Sequence, residues 1–462
     1  MRKLIYSVLV VLTGCTTYHA QPLAPAQLVQ QFEERSLDSP DLHAYIQHAL
    51  GHDIAWPVAH WNREMLTLAA FYYNPSLDVS RAEWESSKAE IDVAKARPNP
   101  VLQLPFQAAT SGSGISRFSL GFALDIPIET AHKRGYRINQ ASHVSEAARL
   151  NIRDQAWKVS ADVRDALLEL YAARERMGLL SHQTSAQQQI VNMSRKRLAL
   201  GQFSQPEFNE AVLVNTQTQS QLLEARSSEQ TALNSLAKAI GLPVSALKGI
   251  HFDLSEFQQI PVIPPKSVQR QAILQRADLL SSLADYAASE SVLQLEVAKQ
   301  YPDIHLGPGY TYDMGTNKIA FGLAGVSLPI FDRNQGGIRV AEAKRKEAAA
   351  RTEALQDKIL GDLSQALLGY QSSQAAMRLA IQSRTTAQQQ LKHQATAFKV
   401  GNLDRLSYTQ ALIAYQTSQL NTLDATISAQ KAAGDLEDVL QRFLNHDLTS
   451  NNKLVQMQEL NP

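Results

Sequence analysis

The sequence predicts a mostly α-helical protein with a small β part, in which each chain supplies four β-strands and two long helical hairpins. Three observations support this fold class. One pattern of motifs occurs twice along the 462 residues, at an offset of about 200 residues. Residues 138–199 and 338–399 contain no proline and are rich in good helix formers. Ahead of each of these stretches, apolar residues alternate with small or polar ones, which is typical of strands.

The first fifteen residues have the composition of an export signal. Arg2 and Lys3 precede an apolar segment, residues 4–12, that is too short to span a bilayer and has the length of a signal core. The segment ends in Thr13-Gly14-Cys15, which is similar to the cleavage site of bacterial lipoproteins. We therefore expect residues 1–14 to be removed and Cys15, the only cysteine, to carry a covalent lipid. The alternative is that Cys15 is a small buried side chain.

The duplication is visible in short matches that keep the same order in both halves. Each match alone is weak, but several in order at one offset indicate two copies of one structural plan. A proline-rich stretch joins the copies, as expected for a linker. The matched pairs are Asp125-Ile126-Pro127-Ile128 with Ser327-Leu328-Pro329-Ile330, Gly135-Tyr136-Arg137 with Gly337-Ile338-Arg339, and Leu200-Gly201-Gln202 with Val400-Gly401-Asn402.

Two strand-like segments follow a short helix in each copy. In the first copy Leu120 and Phe122 alternate with Ser119 and Gly121, so apolar side chains share one face and small or polar ones share the other. Each strand has about ten residues, the length that crosses a membrane when the strand is tilted. We expect the hairpin loops at the glycine-containing residues 111–114 and 315–317.

The proline-free stretches predict helical rods. Some 60 residues, at a rise of 1.5 Å each, make a helix about 90–100 Å long. Gly201 and Gly401 end these rods, and a second helix returns over residues 206–240 and 406–443. Apolar residues such as Val163, at spacings of three and four, form a narrow stripe that favours packing against neighbouring helices.

Composition excludes several other classes of protein. The 44 basic and 44 acidic side chains cancel, so the electrostatic attraction to nucleic acid is missing and we expect no nucleic-acid partner. A single cysteine excludes a disulfide framework and a zinc site built on several thiolates. Sequence motifs of nucleotide-binding, hydrolase and metalloprotease sites are missing, so we predict no enzyme activity, no catalytic residues and no cofactor apart from the lipid on Cys15.

Three histidines cluster near the N-terminus, at His43, His48 and His52. His48 and His52 have the i,i+4 spacing that could ligate a metal from one helix face. Gly51 lies between them, and the sequence assures no acidic or cysteine ligand beside them. We interpret them as ordinary surface histidines and predict no metal site, although the sequence leaves open whether the cluster binds anything.

Four strands cannot close a barrel within one chain. An open sheet edge in hydrocarbon leaves unpaired N–H and C=O groups that cost several kcal/mol each. The edges therefore require partner chains. The closed barrel then contains a multiple of four strands, and three chains would give twelve strands and twelve helical columns.

These features together resemble the TolC-like outer membrane efflux factor family, in its lipoprotein branch. The resemblance rests on the lipid-attachment site, the duplicated plan, the turn at residues 94–98 and the Leu-Pro-Ile-Phe element at residues 328–331, and it covers residues 60–445. It implies a homotrimer, lipid-anchored in the outer membrane, in which a twelve-stranded transmembrane β-barrel is joined to an α-helical barrel that extends into the periplasm. The resemblance further implies a passive exit channel that serves a periplasmic adaptor (membrane fusion) protein and an inner-membrane pump of the proton-driven RND type or a related one.

The resemblance also implies roles for the ends of the helical hairpins. Gly201 and Gly401 match the periplasmic ends, which contact the adaptor and form the aperture. Glu207 and Asp404 are then candidate charges lining that aperture, with Ser407 standing where the second copy would carry the acid. The alternative is that both carboxylates merely stabilise helix N-termini through the macrodipole.

Two other functions stay open at this point. One is an outer membrane channel for type I protein secretion, and the other is a periplasmic coiled-coil scaffold that forms no channel. The exported substrate (drug, metal ion, other small molecule or protein), the adaptor, the pump and the gating residues are not evident from the sequence. The expected divisions are the signal peptide (1–14), the lipidated N-terminal arm and equatorial segment (15–73), the first repeat (74–260), the proline-rich linker (261–275), the second repeat (276–445) and the C-terminal tail (446–462).

Overall fold

A computed structural model of the protein describes residues 16–108, 110–111 and 116–444. The expected signal peptide, the lipidation site Cys15, most of the first hairpin loop and the expected C-terminal tail lie outside the described residues. The fold class is confirmed, since long helices dominate the described chain and the strands form one small sheet.

The described elements follow one another as an N-terminal arm and two repeats. The arm contains helices α1 (Pro25–Glu33), α2 (Pro40–Leu50) and α3 (Arg63–Tyr73). The first repeat contains α4 (Pro75–Lys95), β1 (Val101–Gln103), β2 (Phe106–Ala108), β3 (Phe118–Ile128), α5 (Lys133–Ala199) and α6 (Gln205–Ile240). After the short helix α7 (Lys266–Leu274), the second repeat contains α8 (Ala277–Ala298), β4 (Ile304–Leu306), β5 (Gly309–Asp313), β6 (Thr316–Ala320), β7 (Leu323–Val326), α9 (Gln335–Lys399) and α10 (Arg405–Leu440).

Three of the four predicted strands are interrupted, and only β3 is continuous over its 11 residues. Pro105 separates β1 from β2, and Pro308 separates β4 from β5, because proline has no N–H to donate to a ladder. The carbonyl groups at both prolines still accept from β3, with Gly121 N 3.0 Å from Pro105 O and Leu124 N 2.9 Å from Pro308 O. The pieces on each side of a proline therefore continue one strand.

The strands form one antiparallel sheet in the order β1/β2, β3, β4/β5 and β6/β7. The two repeats meet at its centre, where Leu120 lies opposite Tyr312 and Phe122 opposite Tyr310. Within the described chain, β1/β2 and β6/β7 each have no partner strand along their outer edge. One chain thus forms a sheet with two open edges, as the sequence predicts.

The long helices differ sharply in burial between the repeats. Helix α5 has 67 residues, which corresponds to about 100 Å, and contributes Val163 and Leu167 to the main apolar core. Helix α9 has 65 residues but buries only a few of them, and Leu368 and Leu379 on it are about two-thirds exposed. The single chain therefore covers α5 and leaves much of α9 uncovered.

The main core lies part-way along α5, where the N-terminal arm crosses it. Trp61, Leu66 and Phe71 from the arm are almost completely buried against α5 and against Leu236 and Ile240 at the end of α6. Burial of large apolar side chains stabilises by about 1.5–3 kcal/mol each. This packing anchors the arm at the middle of the molecule, where the helical hairpin of the first repeat begins its long extension.

A buried network of charges joins the arm to both repeats beside this core. Arg164 on α5 donates two 2.8 Å bonds to Asp438 on α10 and lies 3.6 Å from Glu437. Arg63 in the arm donates to Glu437 at 2.7 Å and lies 3.8 Å from Glu256. Burial alone would raise the pKa of Glu437, but Arg63 and Arg164 hold it below its usual value. Burial raises the pKa of Glu256, and the more distant Arg63 offsets this only in part.

Removing Arg164 should destabilise the fold far more than removing Arg176. Both arginines lie on α5 and pair with α10, but the Arg164 side chain is 6% exposed and that of Arg176 is 42% exposed. R164A leaves Glu437 buried with one partner fewer, which we expect to cost about 3–5 kcal/mol. R176A breaks only an exposed pair with Asp424, worth about 0–1 kcal/mol. Urea unfolding followed by circular dichroism measures both, and equal losses would contradict a stabilising role for the buried network.

Candidate functional site

One face of the sheet presents apolar side chains to the outside. Phe118, Leu120 and Phe122 are each about half exposed, although they lie in the middle of a strand. The pairing register places Tyr310 and Ile319 on this same face, and Ile319 is 86% exposed. A continuous apolar face of this kind is typical of a surface that another apolar phase covers. In a sheet of strands of membrane-spanning length, that phase is lipid.

The opposite face of the sheet is lined by small and polar side chains. Lys318 donates to Asp313 at 2.7 Å, and the Nδ1 atom of His305 lies 2.8 Å from Oδ1 of Asp125. Gly121 on this face has a different role from a lining residue. A Cβ atom there would lie 2.8 Å from the Thr311 hydroxyl, so the glycine permits close approach of β3 and β5.

Hydrogen bonds fasten the sheet to the start of the first long helix. Lys133, the first residue of α5, donates to Asp303 at 2.8 Å and to the carbonyl of Tyr301 at 2.7 Å. The Thr130 amide donates to the same Asp303 carboxylate at 2.9 Å. These bonds join the β3–α5 connection of the first repeat to the α8–β4 connection of the second, so sheet and helices meet at a fixed geometry.

The far ends of the hairpins turn at the two predicted glycines. Gly201 has a φ of 70° and Gly401 a φ of 81°, the left-handed conformation in which glycine carries no steric cost. Past the end of α5, Gln202 N donates to the Arg197 carbonyl at 2.9 Å, and Asn402 N makes the equivalent bond in the second repeat. Apart from each glycine and its two chain neighbours, no heavy atom of the described residues lies within 4 Å of the position of a Cβ on either glycine, so both turns are open to solvent.

The two candidate aperture carboxylates cap the helices that follow these turns. Ser204 and Glu207 form a capping box at the start of α6, with the Glu207 carboxylate 2.7 Å from the Ser204 amide. Asp404 caps α10 by accepting from Ser407 N at 2.8 Å, and Arg197 lies 2.6 Å from it. The Ser407 hydrogen bonds and then Arg197 lower the pKa of Asp404 to about 2. Both residues therefore have the helix-terminal role, and a lining role at an aperture stays a prediction.

The three N-terminal histidines share no common contact in the described residues. The His43 ring stacks on Trp56 with centroids 4.5 Å apart, and His52 contacts the Leu50 carbonyl, while His48 is exposed. Across residues 16–108, 110–111 and 116–444, no group of three or more His, Cys, Asp or Glu side chains is arranged to hold a metal ion. Among those same residues, no helix combines the length and the apolar character needed to cross a membrane.

A sheet with one apolar face and two open edges, continuous with helical rods about 100 Å long, defines a subunit of a membrane channel with a helical extension. The chain belongs to the outer membrane efflux protein family, whose model matches residues 69–242 and 268–440. The two matched segments each contain one of the structural repeats.

Individual relatives agree with this assignment. The chain is 24% identical over 376 residues to the cobalt-zinc-cadmium resistance protein CzcC of Cupriavidus metallidurans, covering 80% of this chain and 87% of that protein. It is 24% identical over 292 residues to the nickel-cobalt-cadmium resistance protein NccC of Alcaligenes xylosoxydans, covering 61% of this chain and 64% of that protein. The crystal structure of the outer membrane protein VceC of Vibrio cholerae superposes with a TM-score of 0.68 at 19% identity, covering 84% of this chain and all of that one.

The predicted resemblance and the predicted class of function are thus confirmed. The protein is an outer membrane efflux channel, and its family consists of channels and not of enzymes. The scaffold alternative loses its support, because the family match spans both strand-bearing repeats.

Charged substitutions should separate the two faces of the sheet. F122K places an ammonium on the apolar face and A123K places it one residue further on, on the polar face. We expect F122K to cost about 2–4 kcal/mol near the bilayer midplane and A123K to cost little. Urea unfolding of the two variants in lipid vesicles measures the difference. Equal tolerance of both substitutions would contradict the assignment of the apolar face to lipid.

Proposed function

We propose that three copies of the chain form one closed channel that passively exports divalent heavy-metal cations from a periplasmic adaptor and an inner-membrane pump to the outside of the cell. The observation that carries the proposal is the four-stranded sheet with two open edges. Four strands from each of three chains would make a barrel of twelve, in which β1/β2 of one copy pairs with β6/β7 of the next.

The uncovered second repeat supports the same assembly. Large exposed leucines on α9, among them Leu360, Leu368 and Leu379, would be covered by helices of a neighbouring copy, as would Leu213 and Leu223 on α6. Exposed apolar area on a helix of this length favours side-by-side packing with another helix. We infer that the α5/α6 and α9/α10 hairpins of three chains together form a helical barrel.

The hairpin ends are the surface that we assign to the adaptor. Gly201 and Gly401 lie at open turns, and Leu200 and Val400 beside them are each about two-thirds exposed or more. An exposed apolar side chain beside a fixed turn is a suitable contact for a partner protein. This assignment accounts for the capping carboxylates Glu207 and Asp404 as residues that hold the shape of the ends.

The class of substrate is proposed from the relatives. CzcC and NccC are named for resistance to cobalt, zinc, cadmium and nickel, and both are similar to this chain over more than half of its length. Divalent cations are therefore the proposed cargo, ahead of drugs or secreted proteins.

Deletion of the gene should lower the tolerance of cells to zinc, cobalt and cadmium, and the full-length gene should restore it. The F122K variant, which we expect to be destabilised, should fail to restore tolerance, while A123K should succeed. Growth in graded metal concentrations measures the effect. Growth in graded drug concentrations tests the alternative that the channel exports drugs. Unchanged metal tolerance after deletion, with a loss of drug tolerance or of a secreted protein, would contradict the proposed cargo.

We also propose that Cys15 carries the lipid that anchors the N-terminal arm in the outer membrane. Each methylene group of a buried acyl chain contributes about 0.8 kcal/mol to membrane binding. In cells fed a labelled fatty acid, the wild-type protein should take up label and C15S should not. Equal labelling of both proteins would contradict lipidation at this residue.

A further inference from the structure

The polar face of the sheet carries an imidazole held by a carboxylate near its helical end. Nδ1 of His305 and Oδ1 of Asp125 are 2.8 Å apart, and the two side chains are 39% and 25% exposed. His305 lies on β4 opposite Pro127 of β3 on one side and Gly325 of β7 on the other. Neither neighbour has a polar side chain, so Asp125 is the side chain that orients the imidazole.

The hydrogen bond to Asp125 fixes which ring nitrogen is available. An ionised carboxylate only accepts, so Nδ1 of His305 donates and the neutral ring keeps its lone pair on Nε2. Within the described part of the chain, Nε2 has no hydrogen-bond partner. Histidines that ligate metal ions almost always donate their other ring N–H to a carboxylate, a backbone carbonyl or water, and Asp125 is a partner of the first kind.

The charges around this pair favour a cation. Lys318 and Asp313, on the same face, neutralise each other at 2.7 Å. Asp303, two residues before His305, already accepts a hydrogen bond from Lys133 at 2.8 Å. With His305 neutral, Asp125 therefore leaves one negative charge per chain at this level of the polar face.

We propose that Nε2 of His305, with Asp125 as its positioning residue, is a transit site for divalent cations on the lumen wall, one in each chain. The inference rests on the proposed function, because it requires that the polar face line a channel and that the cargo be a divalent cation. Among the described residues no group of three or more His, Cys, Asp or Glu side chains surrounds this position, so Nε2 of His305 is the one ligand that each chain supplies there and binding stays weak. A conducting pore needs such a site, favourable enough to enter and weak enough to leave.

Zinc binding to the full-length protein, purified in detergent without a histidine tag, tests the site directly. At zinc concentrations high enough to fill a weak site, equilibrium dialysis should find one zinc ion fewer per chain in H305Q than in the wild type, although glutamine can still donate to Asp125. D125N should weaken binding at least tenfold. H393Q, on the exposed part of α9, is the matched control and should bind as the wild type does. Zinc binding by H305Q equal to that of the wild type would overturn the proposal.

Rescue and growth separate a ligand from a structural residue. H305C supplies a thiolate, a good zinc ligand, and should regain binding that H305Q lacks. Cells with H305Q should tolerate less zinc than cells with H393Q at equal channel levels. Loss of binding with full zinc tolerance would overturn the transit role. If deletion of the whole gene leaves zinc tolerance unchanged, the proposed cargo fails and the transit role fails with it, whereas full tolerance of H305Q beside a sensitive deletion strain overturns the transit role alone.

Discussion

The unpaired backbone at the two edges of the sheet is the constraint on which the rest of the structure depends. In water, an open edge hydrogen-bonds to solvent, but in hydrocarbon each orphaned group costs several kcal/mol. Strands β1/β2 and β6/β7 both end the sheet of a single chain. A subunit of this shape is therefore stable in a membrane only as part of a closed ring. Lipid around that ring would cover its exposed apolar face. Folding of the strands, their insertion into the membrane and the pairing of their edges are therefore coupled.

The charged network around Arg164 fixes the long helices at a defined angle to one another. The helix pair of the first repeat extends for about 50 Å beyond Arg164, so a small change in its angle there becomes a large displacement at its end. Arg63 and Arg164 reach Glu437 from two different segments, and the Lys133–Asp303 pair fastens the sheet above. Buried charged hydrogen bonds are directional in a way that apolar packing is not.

Features set by local sequence were predictable, while features set by distant residues were not. The turns at Gly201 and Gly401 follow from glycine chemistry, and the rods follow from composition. The breaks at Pro105 and Pro308 follow from the same rules, yet alternation of side chains alone predicts uninterrupted strands. The pairing of His305 with Asp125 joins residues 180 positions apart, and only the register of β3 with β4 brings them together.

The two repeats share one order of elements but differ in how their long helices are buried and capped. Helix α5 buries its apolar stripe within its own chain, whereas α9 leaves Leu368 and Leu379 uncovered. The caps diverged in the same way, because the acid stands at the third helical position in Glu207 and at the cap itself in Asp404. Both solutions satisfy the amide groups at the start of a helix. Duplication thus preserved the shape of both repeats, while the first repeat packs against the rest of its own chain and the second exposes the apolar side chains that we assign to the interface with a neighbouring copy.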